Sequence, residues 1–299
     1  MNNETKQRKK FITFGGPTSN FHYAVNRIFN EAQNIDFFDE FKCFTETNLK
    51  NDKMFWNKHG NFIENNKRGY GYWIWKSYLI KKSLETINDN DILIYCDAGC
   101  QINKNGIARL HEYVDMLNSN AENYGILSFQ LQYEELLYTK NSIFEHFHSA
   151  AKLPPSFSDE TSFVSFSGES SNSYAHSSLR NSPVSMENHP IPERRISTGI
   201  DEIKEKRMLQ CMATIVIMKK NAHCENIINE WYNACENYNL INDLVHNEDP
   251  QFIENRHDQS ILSVLVNKHG SVKLLDETYF YPNWDTNGIN YPFWARRLK

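Results

Sequence analysis

The stretch Ile92-Leu-Ile-Tyr95, which runs on into Cys96-Asp97-Ala98-Gly99, constrains this chain more than any other. A short continuous apolar run of this kind marks a strand covered on both faces, as in a parallel sheet. Asn88-Asp-Asn-Asp91 ahead of it is a cluster of turn-forming residues. It ends a helix whose apolar positions Ile80, Leu84 and Ile87 fall at helical spacing, with Lys81, Lys82 and Glu85 opposite. Asp97 therefore stands where a buried strand leaves its sheet. In open α/β sheets ligands bind outside the carboxyl ends of the strands, so a carboxylate there is placed to hold a metal or a sugar hydroxyl.

The flanking pattern repeats the same logic. Phe11-Ile-Thr-Phe14 reads as a strand closed by Gly15-Gly-Pro17, and a helix then starts near Ser19 and Asn20. Phe37–Phe44 and Gly125–Gln130 read as further strands, and Cys211–Met218 as a strong buried one. Helices are expected over 52–65, along Ile107, Leu110, Val114 and Leu117, along Ile227, Ile228, Trp231 and Cys235, and from Asp258 to a stop at Gly270. Val272–Leu275 and Thr278–Tyr281 suggest closing strands or an extended tail. Strands alternating with helices predict an α/β fold with a Rossmann-like, mixed but mostly parallel sheet flanked by helices.

Residues 145–205 break the pattern. Ten of the 23 residues from Ser156 to Ser178 are serine, with prolines on both flanks. Such composition supplies little core and reads as a long inserted loop, partly disordered, within a single domain spanning 1–299.

Totals narrow the function. A chain of 299 residues with 40% hydrophobic and 23% charged content can bury a large core. A net charge of -5 argues against nucleic acid as the main partner. Six cysteines without any CxxC spacing point to a reducing compartment. No apolar window approaches a membrane span. The expected location is the cytoplasm, with at most peripheral contact at the inner face of the membrane. Absence of GxGxxG, Gly-x-Ser-x-Gly, HExxH and Walker sequences leaves the dinucleotide, hydrolase, zinc-protease and NTPase readings without support.

Two constellations carry chemistry. In Arg68-Gly-Tyr-Gly-Tyr-Trp-Ile-Trp-Lys76, Arg68 and Lys76 can pair with phosphates, the first as a planar fork and the second as a point charge. Tyr72, Trp73 and Trp75 can stack on a base or sugar, or pack on the sheet. In Arg256-His-Asp-Gln-Ser260, Asp258 opens a helix, where a carboxylate is either an N-cap or a general base that orients an acceptor hydroxyl. Gln259 belongs to the same block, and neutral His257 can ligate a metal. Glu134 is a further candidate base, as is Glu135.

Arg68–Lys76, Asp91–Cys100 and Arg256–Ser260 together resemble the signature blocks of a group of GT-A-fold glycosyltransferases. Its members act in bacterial surface-polysaccharide synthesis and have relatives in large DNA viruses. The resemblance covers most of the chain outside 145–205. It implies a GT-A-like domain that moves a sugar from a nucleoside-diphosphate sugar to a glycan acceptor, of lipopolysaccharide or capsule, with Mn²⁺ or Mg²⁺. It further implies donor contacts from Thr13, Phe14 and Gly15, from Arg68, Tyr72, Trp73 and Lys76, and from Asp97, Ala98 and Gly99. Taken with the chemistry of the residues themselves, metal contacts are expected from Asp97 and His257, and catalytic roles from Asp258, Gln259 and, outside the resembling blocks, Glu134. The group usually carries Asp-x-Asp where this chain has Asp97-Ala-Gly99. One metal carboxylate is thus missing, and Asp97 either holds the metal with other groups or contacts the donor sugar. Two other readings stand beside transfer: a nucleotidyltransferase that forms sugar nucleotides, and a non-catalytic carbohydrate- or nucleotide-binding module.

Overall fold

A computed structural model of the chain describes residues 6–150 and 204–298. Residues 151–203, most of the expected inserted loop, lie outside the described residues. The start of that segment differs from expectation, because helix Asn141–Ala150 runs through positions 145–150.

Among the described residues the sheet has seven strands. They are β1 (Lys9–Gly15), β2 (Glu40–Thr45), β3 (Ile92–Cys96), β5 (Ile126–Glu134), β6 (Leu209–Cys211), β7 (Ile215–Lys219) and β8 (Val272–Leu275); β4 (Gln101–Ile102) and β9 (Phe293–Trp294) form a separate two-stranded ribbon. β1 pairs in parallel with both β2 and β3, and β8 pairs in parallel with β5. β7 is antiparallel to β3 and β5, and β6 is antiparallel to β5. Five strands therefore run one way and two the other, the mixed, mostly parallel sheet expected.

The long helices are α1 (Ser19–Gln33), α2 (Lys53–Asn65), α3 (Ile74–Leu84), α4 (Ile107–Ser119), α5 (Asn141–Ala150), α6 (Ala222–Cys235) and α7 (Asp258–His269). Side chains alternate across a strand, so β3 feeds two cores. Ile92, Ile94 and Cys96 join a cluster with α1 and α4, whereas Leu93 and Tyr95 join one with α3, α6 and α7. Trp231, read as core from its stripe, is fully buried in the second cluster. Asp97 continues the parity of Leu93 and Tyr95, so it leaves the sheet on the side of α3 and α7.

One expected element is divided. Cys211–Met218 reads as a single strand, but β6 and β7 lie end to end against β5 with Met212–Thr214 between them. The interruption has a cause. The Ala213 N–H donates to Gln259 Oε1, the Ala213 carbonyl accepts from Lys76 Nζ, and the Thr214 carbonyl accepts from the Asp97 N–H. Backbone groups that would extend the ladder are spent on three side-chain and loop contacts. Thr278–Tyr281 is neither strand nor tail: Thr278 is a bend, Tyr281 begins a turn, and the chain continues to β9. Among the described residues no helix is long and apolar enough to cross a membrane.

Candidate active site

Lys76 is the hinge of the candidate site. Its ammonium lies 3.2 Å from Asp97 Oδ1 and 3.5 Å from Asp258 Oδ2, and it donates to the Ala213 carbonyl at 3.1 Å. The three side chains come from α3, from the loop after β3, and from the first turn of α7. Lys76 and Asp258 are each 4% exposed and Asp97 is 31% exposed, so Asp97 is the member most open to a ligand.

The route to Lys76 passes through an unusual turn. Gly69, Tyr70, Gly71, Tyr72 and Trp73 all have positive φ, and the bonds from Tyr72 N–H to the Arg68 carbonyl and from Trp73 N–H to the Gly69 carbonyl close one left-handed turn. A left-handed conformation costs a non-glycine residue about 1–2 kcal/mol, and three aromatic residues bear it here. Glycine at 69 and 71 is required twice over. A Cβ on Gly69 would meet the Trp73 ring at 2.3 Å and one on Gly71 would meet Ile63 at 2.6 Å. His257, next to Asp258, is also strained at φ 59°, ψ -121°. Its ring stacks on Trp73 at 5.2 Å and lies 5.1 Å from Tyr72. Strained residues persist where the surrounding packing over-determines them, and they gather at functional sites.

Asp97 is held on several sides. Tyr95 donates its hydroxyl to Oδ1 at 2.5 Å. Arg27 of α1 donates one nitrogen to both the Ala98 and Cys100 carbonyls, at 2.7 and 2.8 Å, and pairs with Glu31 at 2.8 Å. Glu31 in turn accepts from the Ile102 N–H. From the other side the Leu298 N–H donates to the Gly99 carbonyl. Arg27, Glu31 and Tyr95 are not among the site residues expected from the sequence. Only Tyr95 left a signal: a hydroxyl in an otherwise aliphatic buried run, two residues before Asp97 and so on its face.

Electrostatics separate the two carboxylates. Burial pushes Asp258 up to about 7 against the pull of Lys76, and nearby Asp97 adds to the rise. Burial alone would push Lys76 down, but Asp258 and Asp97 together outweigh it and hold the ammonium above the ordinary lysine range. Burial also takes the Tyr95 hydroxyl well above the ordinary tyrosine range, with Asp97 reinforcing it. The cap of α7 is His257, with Asp258 in the first turn, so capping does not account for Asp258. A first-turn carboxylate also gains from the helix dipole. Trp231 Nε1 donates to the Asp258 carbonyl at 2.8 Å and fixes its backbone.

The other expected site residues take varied positions. Thr13, Phe14 and Gly15 are buried at the end of β1, with the Phe14 ring stacked on Trp75 at 3.9 Å. Arg68 pairs with Asp243 at 2.9 Å and Glu254 at 3.2 Å. His257 donates from Nδ1 to the Ile241 carbonyl at 2.6 Å, and its Nε2 lies 3.7 Å from Asp243. Burial lowers its affinity for a proton, which the Ile241 bond opposes. Gln259 joins the Ala213 N–H to Gln210. Glu134 pairs with Arg207 at 3.2 Å. The structure thus brings Lys76, Asp97 and Asp258 into one cluster. Arg68, Tyr72, Trp73 and His257 form a second, adjoining group around Asp243.

Among the described residues no group of three or more His, Cys, Asp or Glu side chains is placed to hold a metal ion. Asp97 nevertheless suits a hard divalent cation in part. Its Oδ1 is engaged by Lys76 and Tyr95, which leaves a carboxylate oxygen for a metal whose remaining ligands are phosphates and water, the habit of Mg²⁺.

No protein-family model matches the chain, and neither does any curated protein. Among solved structures the chain is similar to the apo form of mouse xyloside xylosyltransferase 1, at 8% identity and a TM-score of 0.42, over 96% of this chain and 97% of that one.

Proposed function

We propose that the chain is a glycosyltransferase that takes a sugar from a nucleoside-diphosphate donor and passes it to a glycan acceptor. The observation that carries this reading is the convergence of Lys76, Asp97 and Asp258 on one buried ammonium at the carboxyl end of β3. Each of the three comes from a different one of the sequence blocks that resemble sugar transferases, and they lie far apart along the chain.

The chemistry suits the groups present. As the bond between anomeric carbon and diphosphate breaks, its electron pair passes to the leaving phosphate oxygen and positive charge develops on the sugar. Asp97, the exposed carboxylate, is placed to meet that positive charge or the donor's hydroxyls. Fixed charges in a site of low dielectric are worth several kcal/mol, in rough terms, to such a transition state. Asp258, with its carboxyl near 7, is matched to accepting the proton that the acceptor hydroxyl loses. Lys76 holds both carboxylates in register. Mn²⁺ or Mg²⁺ held by Asp97 and the donor phosphates would supply Lewis-acid stabilisation of the leaving diphosphate. The acceptor class follows the sequence resemblance: a growing surface glycan such as lipopolysaccharide or capsule. Six free thiols suit action on the cytoplasmic side of a membrane.

The test is incubation with Mn²⁺ and a panel of nucleotide sugars, with and without acceptor glycans, reading nucleoside diphosphate release. Asp97→Asn is expected to lower that release by a factor of about 10² or more while circular dichroism stays unchanged. Wild-type turnover in the folded variant would refute the role of Asp97. Pyrophosphate as product would instead identify a nucleotidyltransferase, and donor binding without turnover a binding module.

A further inference from the structure

Among the described residues Glu135 is the most deeply buried carboxyl that the proposed chemistry does not use. It follows Glu134 at the end of β5 and is 0% exposed. Oε1 accepts from Ser263 Oγ and, at 3.0 Å, from Asn267 Nδ2; Oε2 accepts from Thr139 Oγ1 at 2.6 Å and Gln210 Nε2 at 3.4 Å. Burying a carboxylate is expensive, and apolar replacement of buried ionic groups is often neutral or stabilising. Stability alone is therefore a poor reason for a charge at this position.

The bonds beyond Glu135 supply another reason. Gln210 Oε1 accepts from Gln259 Nε2 at 2.9 Å, Gln259 Oε1 accepts from the Ala213 N–H at 3.1 Å, and the Ala213 carbonyl accepts from Lys76 Nζ at 3.1 Å. An unbroken chain thus leads from Glu135 to the ammonium shared by Asp97 and Asp258, and Gln259 is covalently next to Asp258. The chain also has a direction. A carboxylate and a carbonyl only accept hydrogen bonds, and Gln210 Nε2 reaches Glu135 Oε2 at 3.4 Å, the Tyr138 carbonyl at 3.3 Å and Thr139 Oγ1 at 3.1 Å, so Gln210 turns its NH₂ toward these three and its oxygen toward Gln259. Gln259 must then offer its own NH₂ to Gln210 and its oxygen to the Ala213 N–H. Burial pushes the Glu135 carboxyl up to about 7 against the bonds from Ser263, Thr139, Gln210 and Asn267; when ionised it acts with the Tyr138 carbonyl to orient two amides in turn, and those amides hold the interrupted strand at Met212–Thr214 open toward Lys76.

We infer that Glu135 and Gln210 are positioning residues that set Ala213, and through it the Lys76–Asp258 pair, by fixing the direction of this hydrogen-bond chain. The inference concerns the same site as the proposed sugar transfer and rests on that reading only for its catalytic consequence.

Three variants test it in the full chain, with Ile261→Val on the same helix as a control for lost packing. Glu135→Gln keeps the shape and removes the directing charge. Glu135→Gln/Gln210→Glu moves the charge one link along, where it still accepts from Gln259 and keeps that direction, at the loss of the bond from Gln210 Nε2 to the Tyr138 carbonyl. Gln210→Met cuts the chain without adding charge and serves even where Glu135→Gln folds poorly. Exchange of the Ala213 amide reads the chain directly, because its only route to opening is loss of the Gln259 bond or wider unfolding. Glu135→Gln and Gln210→Met are expected to speed that exchange about tenfold beyond the control, and the double variant to return it to within about threefold of wild type. In nucleoside diphosphate release the two disrupting variants should lower kcat about tenfold with donor KM within about twofold, and the double variant should recover it. Ala213 exchange no faster than in the control, a double variant that recovers neither property, or a wild-type kcat in the disrupting variants would each overturn the inference. Should the wild type release no nucleoside diphosphate from any donor, the transfer reading fails, and Ala213 exchange alone decides whether the chain acts on the site.

Discussion

Lys76→Met offers a measurement in which direction, size and pH dependence all follow from the geometry. Methionine keeps the length and apolar stem of the side chain and deletes the ammonium between Asp97 Oδ1 and Asp258 Oδ2. Removing one partner of a buried ion pair costs about 3–5 kcal/mol, a large share of the roughly 5–15 kcal/mol that holds a domain together. Asp97 is partly exposed and water can take over its solvation. Asp258 is buried and has no such recourse, so its carboxyl must climb further above the value near 7 that it has beside Lys76. Around pH 8 the variant's native state then holds a proton, or an unpaired charge, where the wild type holds neither. A native state that binds more protons loses stability as pH rises, relative to one that binds fewer. At pH 5 the wild-type Asp258 is itself protonated, so that part of the penalty vanishes and the lost contacts to Asp97 and the Ala213 carbonyl remain. A further rise of one to two pH units in the Asp258 carboxyl corresponds to about 1.4–3 kcal/mol. Urea unfolding followed by circular dichroism should therefore show a loss of about 3–5 kcal/mol at pH 8, and a loss smaller by about 1 kcal/mol at pH 5, because the raised carboxyl is still partly protonated at pH 8. An equal loss at both pH values, or a larger one at pH 5, would show that Asp258 does not depend on Lys76 for its charge.

Three further substitutions test separate parts of the site. In the wild type the Asp258 carboxyl is raised from 3.8 to about 7, so its contribution is complete below about pH 4 and is lost as pH rises toward 7. Asp258→Asn should flatten the fall of unfolding free energy across that window by about 1 kcal/mol per pH unit, seen in urea titrations at pH 4.5, 5.5 and 6.5. Gly71→Ala forces a Cβ against Ile63 at φ 85° and should cost about 2–3 kcal/mol, read as a lowered Tm. Arg27→Met removes the donor to the Ala98 and Cys100 carbonyls; hydrogen exchange in residues 97–102 should rise about tenfold while that of β1 stays at its wild-type rate.

Asp97 was legible because a rule about sheets needs only local information: a buried apolar run, then a carboxylate where it ends. Lys76 and Asp258 were legible as members of blocks, but their meeting on one ammonium was not, since nothing in either segment encodes its distance from the other. The places where local reasoning misjudged the backbone share a cause. Cys211–Met218 has the composition of one strand, and its break at Met212–Thr214 arises from bonds to Gln259, Lys76 and Asp97, none of them near in sequence. The glycines at 69 and 71 announce a tight turn, yet intrinsic preference opposes a left-handed path through Tyr70, Tyr72 and Trp73, and only packing against Ile63 and His257 imposes it. Glu134 and Glu135 are chemically identical neighbours. Which one reaches Arg207 and which one Ser263 depends on how β5 ends, and no periodicity in the sequence records that. Natural chains depart from local consistency chiefly at functional sites. Here the interrupted strand gives its Ala213 carbonyl to Lys76, the left-handed turn delivers α3 and with it Lys76, and strained His257 is joined to Asp258. Three departures converge on one ion pair, and that convergence marks the candidate site without reference to any single motif.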